Sequence, residues 1–261
     1  MVRIHDYEIG VITSALGTNN PYEAVAKIKE LGIPLYQLAW LPNFVKEKGG
    51  MAQAIDSLRD LSLQKEPRLH SICIAHSAES SINDWIDNAM GYIRLASALG
   101  LYLATEHIQT ITPENKGVIL PALREIVGYG QGHPLIYALE TGNESLDTML
   151  SVAEEVPGLR FCFDPGNFLH IGLSNGQILN YVRDLQGLII QVHIKDARKG
   201  EFTALGQGDL DLGRFLRALD KIGYKGPLIL EDSRQPVGVR LQGVAAGKSV
   251  LERTIHSLGT R

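Results

Sequence analysis

Long apolar runs are missing from this sequence. No stretch approaches the roughly 20 residues needed to cross a bilayer as a helix, which excludes a helical membrane span. The N-terminus, Met1-Val2-Arg3-Ile4-His5-Asp6, lacks the apolar core of a secretory leader, so a cytoplasmic location is expected. Cysteine is scarce. Cys73 and Cys162 lie in separate apolar runs, which excludes a disulfide framework and fits a reducing compartment. A surplus of one charge sign is also lacking: 25 basic side chains stand against 29 acidic ones, interspersed, for a net charge of −4. Without a basic stripe, neither nucleic acid nor an anionic membrane surface is an expected partner. Glycine-rich phosphate loops are absent too. There is no G-x-G-x-x-G and no G-x-x-x-x-G-K-[ST]; Gly206-Gln207-Gly208 is a fragment that follows a loop. This removes the usual signature of a doubly wound nucleotide-binding sheet.

What remains is a regular alternation. Apolar residues make up 44% of the 261 and charged residues 21%, enough for a sizeable core. Eight short apolar runs read as strands: Ile9–Thr13, Leu35–Ala39, Arg68–Ile74, Leu101–His107, Leu135–Glu140, Arg160–Asp164, Leu188–Ile194 and Pro227–Glu231. They are continuous rather than alternating, as strands covered on both faces are. Between them lie amphipathic stretches of helical length. Asn20-Pro21 supplies an N-cap and a proline at the first helical position, and that helix stops at Gly32. Asn83 is expected to open a helix ending near Gly100, and Asp211 one ending at Gly223. Trp85, at helical spacing from Ala89 and Tyr92, reads as packing. Eight βα units predict an α/β fold, a single (β/α)8 TIM barrel occupying residues 1–261 as one domain.

In such a barrel the chemistry sits where the strands end. Strands five to eight end in Leu139-Glu140-Thr141, Phe163-Asp164-Pro165, Val192-His193-Ile194-Lys195 and Leu230-Glu231-Asp232. Four successive strands thus finish an apolar run with a potential metal ligand: Glu140, Asp164, His193 and Glu231. Alone, each such acid reads as a helix cap and a lone His as a hydrogen-bonded residue; the conjunction is what counts. Three carboxylates and an imidazole converging on one mouth would repel without a cation. The mixed oxygen and nitrogen set suits one divalent ion: Mn²⁺, Mg²⁺, Co²⁺ or Zn²⁺. Further residues fall near the mouth. His107 ends strand four, His76 follows strand three, and Trp40, past strand two, would wall a substrate face. Lys195, two residues beyond His193, shares that strand's inward face. It would bind an anionic group or pair with Asp164 or Glu231. The Gly206-Gln207-Gly208-Asp209 segment reads equally as a lid or as a helix-capping turn.

These strings, with Gly206-Gln207-Gly208-Asp209-Leu210-Asp211 and Gly223-Tyr224-Lys225-Gly226-Pro227, resemble the xylose isomerase-like barrel superfamily, and within it the sugar phosphate isomerase/epimerase branch. The resemblance spans the chain, with its specific motifs between Glu140 and Glu231. It implies that Glu140, Asp164, His193 and Glu231 bind the metal, and that Glu140 and Glu231 are also the acid–base pair on opposite faces of a small sugar or keto-sugar. A cation chelating a carbonyl and the adjacent hydroxyl would stabilise the charge left when a neighbouring C–H loses its proton. The epimerase pattern places a substrate-contacting His three residues after the Asp; Asn167 stands there, able to hydrogen-bond a hydroxyl but not to titrate. It also places an Arg shortly after the strand-seven His, a role open to Arg198 or Lys199. A dehydratase of a keto-polyol, of the inosose type, would use the same metal and base. The apurinic-endonuclease-like branch needs three zinc ions and more histidines; His70, His76 and His107 are candidates, but Asn167 and Asp211 stand where two others belong. A homo-oligomer is left open.

Overall fold

Eight of the apolar runs pair side by side as parallel strands that close on themselves. The computed structural model describes residues 7–39, 41–75 and 81–259. The barrel strands are β1 (Ile9–Ile12), β2 (Leu35–Leu38), β3 (Arg68–Ile74), β4 (Leu103–Glu106), β5 (Ile136–Glu140), β6 (Arg160–Phe163) and β7 (Ile189–Ile194). Two short strands, β8 (Asp196–Arg198) and β9 (Glu201–Thr203), follow before β10 (Leu228–Leu230) completes the circle. The order around the barrel is β1-β10-β7-β6-β5-β4-β3-β2, each strand beside its sequence neighbour in the barrel. This is the expected (β/α)8 barrel.

The helices form the outer layer: α1 (Pro21–Glu30), α2 (Pro42–Glu47), α3 (Met51–Ser62), α4 (Ile82–Ala98), α5 (Lys116–Gly132), α6 (Leu146–Glu155), α7 (Pro165–His170), α8 (Asn175–Asp184), α9 (Leu212–Lys221) and α10 (Arg240–Gly259). Tyr36, Tyr92, Phe163 and Phe215 are fully buried in the core. The Phe163 and Phe215 rings stack with centroids 6.0 Å apart, joining β6 to α9. No helix among the described residues is long and apolar enough to cross a membrane.

β3 coincides with its apolar run, and the other barrel strands are one to three residues shorter than theirs. Strand four is Leu103–Glu106, not Leu101–His107, and β10 stops at Leu230. Asp164, His107 and Glu231 therefore stand just past strand ends, where side chains turn into the mouth. Helix starts follow their caps. Asn20 Oδ1 accepts from Tyr22 N at 2.9 Å and Glu23 N at 3.2 Å, and Asp211 Oδ1 from Arg214 N at 3.0 Å. Asn83 does not open α4. Ser81, extended at φ −63° and ψ 161°, accepts from Asp84 N through its hydroxyl and leaves Asn83 inside the first turn. Trp85 is buried as packing predicts, and its indole nitrogen donates to Glu106 Oε1 at 3.1 Å.

The Gly206–Asp209 segment is pinned. Buried Asp196 accepts through Oδ2 from Gly206 N and Gly208 N, both at 2.9 Å, and through Oδ1 from Ala197 N at 2.9 Å and Leu210 N at 3.1 Å. A Cβ on Gly208 would lie 2.0 Å from Asp196 Oδ1, so the approach requires glycine. Of the lid and capping-turn readings, the geometry matches a turn that leads into the Asp211 cap.

Candidate metal centre

Each member of the quartet is aimed by local sequence. Glu140 is the last residue of β5 and pairs in register with Cys162. Along β7, the period of two sends Gln191 and His193 to the barrel interior, and Lys195 follows at the mouth. Asp164 does two jobs. Its Oδ1 caps α7, accepting from Gly166 N at 2.8 Å and Asn167 N at 3.2 Å, with Pro165 at the first helical position. Its Oδ2 accepts no hydrogen bond. The helix cap and the candidate ligand atom are thus two oxygens of one carboxylate. Glu231 follows β10, anchored by its N–H to Ile194 O at 3.1 Å. Gly166 lets the first turn of α7 press on Lys195, where a Cβ would meet the Lys195 Cβ at 2.7 Å.

One ligand atom from each of Glu140, Asp164, His193 and Glu231 lies within 4.8 Å of the others. His193 Nδ1 is 3.0 Å from Glu231 Oε2 and 3.5 Å from Glu140 Oε1. Lys195 Nζ is 2.8 Å from Asp164 Oδ2, 3.0 Å from Glu231 Oε1 and 3.7 Å from Glu140 Oε1. The Asp164 contact is ionic in distance without hydrogen-bond geometry. Ser233 Oγ donates to Glu231 Oε1 at 2.7 Å.

The charges respond to one another. Burial raises the Asp164 carboxyl to about 6 against the pull of Lys195, with Glu231 and Glu140 adding to the rise. Burial opposes ionisation of Glu231 also, but Lys195 and His193 outweigh it and hold it well below the usual carboxylate range. Glu140 is lowered too, burial being overcome chiefly by His193. Burial alone would lower His193; Cys162 and Glu140 beside it hold it well above the usual imidazole range.

A divalent cation fits these residues. Three buried atoms of the cluster, Asp164 Oδ2, His193 Nδ1 and Glu231 Oε2, make no hydrogen bond of proper geometry; they meet one another and Lys195 as ion pairs, at 3.0 and 2.8 Å. Buried polar atoms are rarely left this way. Three carboxylates against the Lys195 ammonium leave two negative charges when His193 is neutral, the charge one divalent ion neutralises. Oxygen and nitrogen donors together suit Mg²⁺, Mn²⁺, Co²⁺ or Zn²⁺.

The quartet opens into a cavity of about 430 Å³. Its polar lining includes Ser14, His107, Glu140, Asn167, Lys195 and Glu231; Ile12, Cys73, Ile74, Ala75 and Phe202 form the apolar part. Asn167 reaches the cavity with its amide already engaged: Nδ2 donates to Thr141 O at 2.9 Å and Glu140 Oε1 at 3.2 Å, while Oδ1 accepts from Lys195 at 3.2 Å. Lys195 takes the carboxylate-pairing alternative. Arg198 does not line the cavity. It is half-exposed on the β8–β9 hairpin and donates to Asp209 Oδ1 and Gly208 O, both at 2.8 Å. Trp40 and His76 lie outside the described residues. His70 sits near the N-terminal end of β3, its ring against Tyr102, one residue before interior Ser71, which bonds Gln191, and away from the mouth.

Sequence reasoning passed over Phe202. The hairpin carries it into the cavity, where its ring stacks on His170 with centroids 4.5 Å apart and lies 5.2 Å from Lys195 Nζ. The missed signal is Lys199-Gly200, both at positive φ, a two-residue hairpin turn.

The solved structures share this architecture. A xylose isomerase domain protein from Planctomyces limnophilus matches with a TM-score of 0.77 at 20% identity, over 98% of this chain and 99% of that one. The IolI protein with a binding zinc atom also gives 0.77, at 16% identity over 96% and 99%. A D-allulose 3-epimerase from Methylomonas sp. gives 0.71 at 17% identity over 95% and 98%. At these identities the likeness is one of fold. No curated protein matches the chain. The family described as xylose isomerase-like TIM barrel matches residues 25–253, nearly the whole of the barrel from α1 to α10. The chain belongs to the xylose isomerase-like TIM barrel family.

Proposed function

We propose that this protein is a divalent-metal-dependent isomerase or epimerase of a small sugar or keto-sugar, acting by proton transfer beside a carbonyl. The observation that carries the reading is the convergence of Glu140, Asp164, His193 and Glu231 within 4.8 Å, with Glu140 and Glu231 lining an open cavity. The epimerase among the structural neighbours supports the same class of chemistry.

When bound, the ion would polarise a carbonyl and its adjacent hydroxyl and so acidify the neighbouring C–H. The chain's own residues supply the rest. Glu140 and Glu231 both reach the cavity from strands on different sides of His193. One carboxylate takes the proton from carbon and the other returns one. Lys195 lies between them at 3.0 Å from Glu231 and 3.7 Å from Glu140 and keeps both in the ionised form that can accept a proton. Asn167 fixes the Glu140 carboxylate through Nδ2. Phe202 and Ile74 offer apolar surface to the C–H faces of a substrate.

Incubation of the Zn²⁺- or Mn²⁺-loaded protein with a panel of ketoses in D₂O tests this. Deuterium should enter a carbon next to the carbonyl, and Glu231→Gln should stop it even at a metal concentration that saturates the variant. Exchange that survives Glu231→Gln contradicts the acid–base assignment. Loss of water, seen as an 18-mass-unit drop in the product, would move the reaction to the dehydratase.

A further inference from the structure

Below the quartet the barrel interior is polar. Gln37, Ser71, Thr105 and Gln191 are all fully buried. Such side chains are costly in a core unless bonded, and here they bond one another. Gln37 Nε2 donates to Thr105 Oγ1 at 2.8 Å, Ser71 Oγ donates to Gln191 Oε1 at 2.8 Å, and Gln191 Nε2 reaches Cys162 Sγ at 3.5 Å. The network ends on His193. Its Nε2 lies 2.8 Å from Gln37 Oε1 and 3.3 Å from Gln191 Nε2.

The other ring nitrogen, Nδ1, faces Glu231 Oε2 at 3.0 Å and Glu140 Oε1 at 3.5 Å, ion-pair contacts without hydrogen-bond geometry. A neutral imidazole carries one proton. If Nδ1 is to offer its lone pair to a cation, the proton stays on Nε2 and needs an acceptor. Gln37 Oε1 is placed to be that acceptor. The amide is oriented from its far side, because its nitrogen is tied to Thr105. Gln191 is oriented in the opposite sense, its oxygen occupied by Ser71, so it presents only a donor to the ring and cannot take the Nε2 proton.

We propose that Gln37 is a positioning residue of this site: its carbonyl holds His193 in the Nε2–H tautomer and so presents Nδ1 to a divalent cation. This rests on the quartet being a metal centre. The residue touches neither substrate nor ion and acts through the imidazole. Removing a partner of this kind typically weakens metal binding about 10- to 100-fold.

The test uses the full chain loaded with Zn²⁺, with ¹⁵N-labelled histidine. Long-range ¹H–¹⁵N correlation should show the His193 proton on Nε2 and the metal shift on Nδ1. Calorimetric titration with Zn²⁺ should show Gln37→Met weaker by about 10- to 100-fold, and Gln37→Glu, which keeps an acceptor, restored towards wild type. If Gln37→Met does not fold, Thr105→Val frees the amide to turn and should weaken Zn²⁺ binding in the same direction. No Zn²⁺ binding by the wild-type chain overturns the metal reading itself. Zn²⁺ binding with no proton on His193 Nε2, or with unchanged affinity in Gln37→Met, overturns this inference alone.

Discussion

Lys195→Met exchanges the ammonium beside three carboxylates for an apolar side chain of similar length. The structure sets the size of the effect. The ammonium lies 2.8 Å from Asp164, 3.0 Å from Glu231 and 3.7 Å from Glu140, with Lys195 4% exposed. Removing one partner from a buried ionic cluster costs about 3–5 kcal/mol, because the remaining charges stay desolvated. Proton uptake relieves part of it: Asp164, already raised to about 6, takes a proton at pH 7 for about 1.4 kcal/mol, so the rest of the loss falls on Glu231 and Glu140, which also lose the ammonium. A metal changes the balance. Without Lys195 the site carries one more negative charge, so a divalent ion binds more tightly, and in excess metal the loss relative to wild type shrinks by about 1.4 kcal/mol for each tenfold fall in Kd. Urea unfolding at pH 7 in EDTA should therefore show a loss of about 3–5 kcal/mol, and in excess Zn²⁺ a clearly smaller one. An equal loss under both conditions would mean that Lys195 serves packing alone. No loss under either would refute the electrostatic reasoning.

Metal binding should release protons, because His193 is held well above its usual range and Asp164 at about 6 in the metal-free protein. Both must be free to ligate, so affinity rises with pH; calorimetry in buffers of different ionisation heat should give about one proton at pH 7 and about 1.5 at pH 6, and zero at both would contradict these shifts. Phe202→Ala, which opens one wall of the cavity, should raise KM for a ketose several-fold with a smaller change in kcat; an equal fall in kcat and kcat/KM would place Phe202 in the transition state instead. Asp196→Ala strips the acceptor from the N–H groups of Gly206, Gly208 and Leu210. It should cost about 3 kcal/mol and open the segment to proteases, whereas unchanged proteolysis would show that the turn holds itself.

The barrel was legible because its strands are covered on both faces and so read as continuous apolar runs, such as Leu188–Ile194. Their ends were less legible. Whether Asp164 extends β6 or caps α7 depends on hydrogen bonds to Gly166 and Asn167 that residue type does not reveal. The quartet was visible for the same reason as the strands: an acid or imidazole stands out at the end of an apolar run. The side chains around it were not. Gln37 and Gln191 are inward residues within strands, where a polar side chain looks like an irregularity until its partners across the barrel are known. Phe202 belongs to a three-residue antiparallel strand that adds nothing to the eightfold pattern. Arg198 shows the reverse: proximity in sequence to His193 suggested a place in the site, and the hairpin turns it to Asp209.

We propose that Glu140, Asp164, His193 and Glu231 form one metal centre. Titration of EDTA-treated, dialysed protein with Zn²⁺ and with Mn²⁺, followed by calorimetry and elemental analysis, tests it most directly. One ion per chain is expected, with Asp164→Asn and Glu231→Gln each weakening binding by more than about 100-fold. No bound ion, or binding unchanged in both variants, would contradict it.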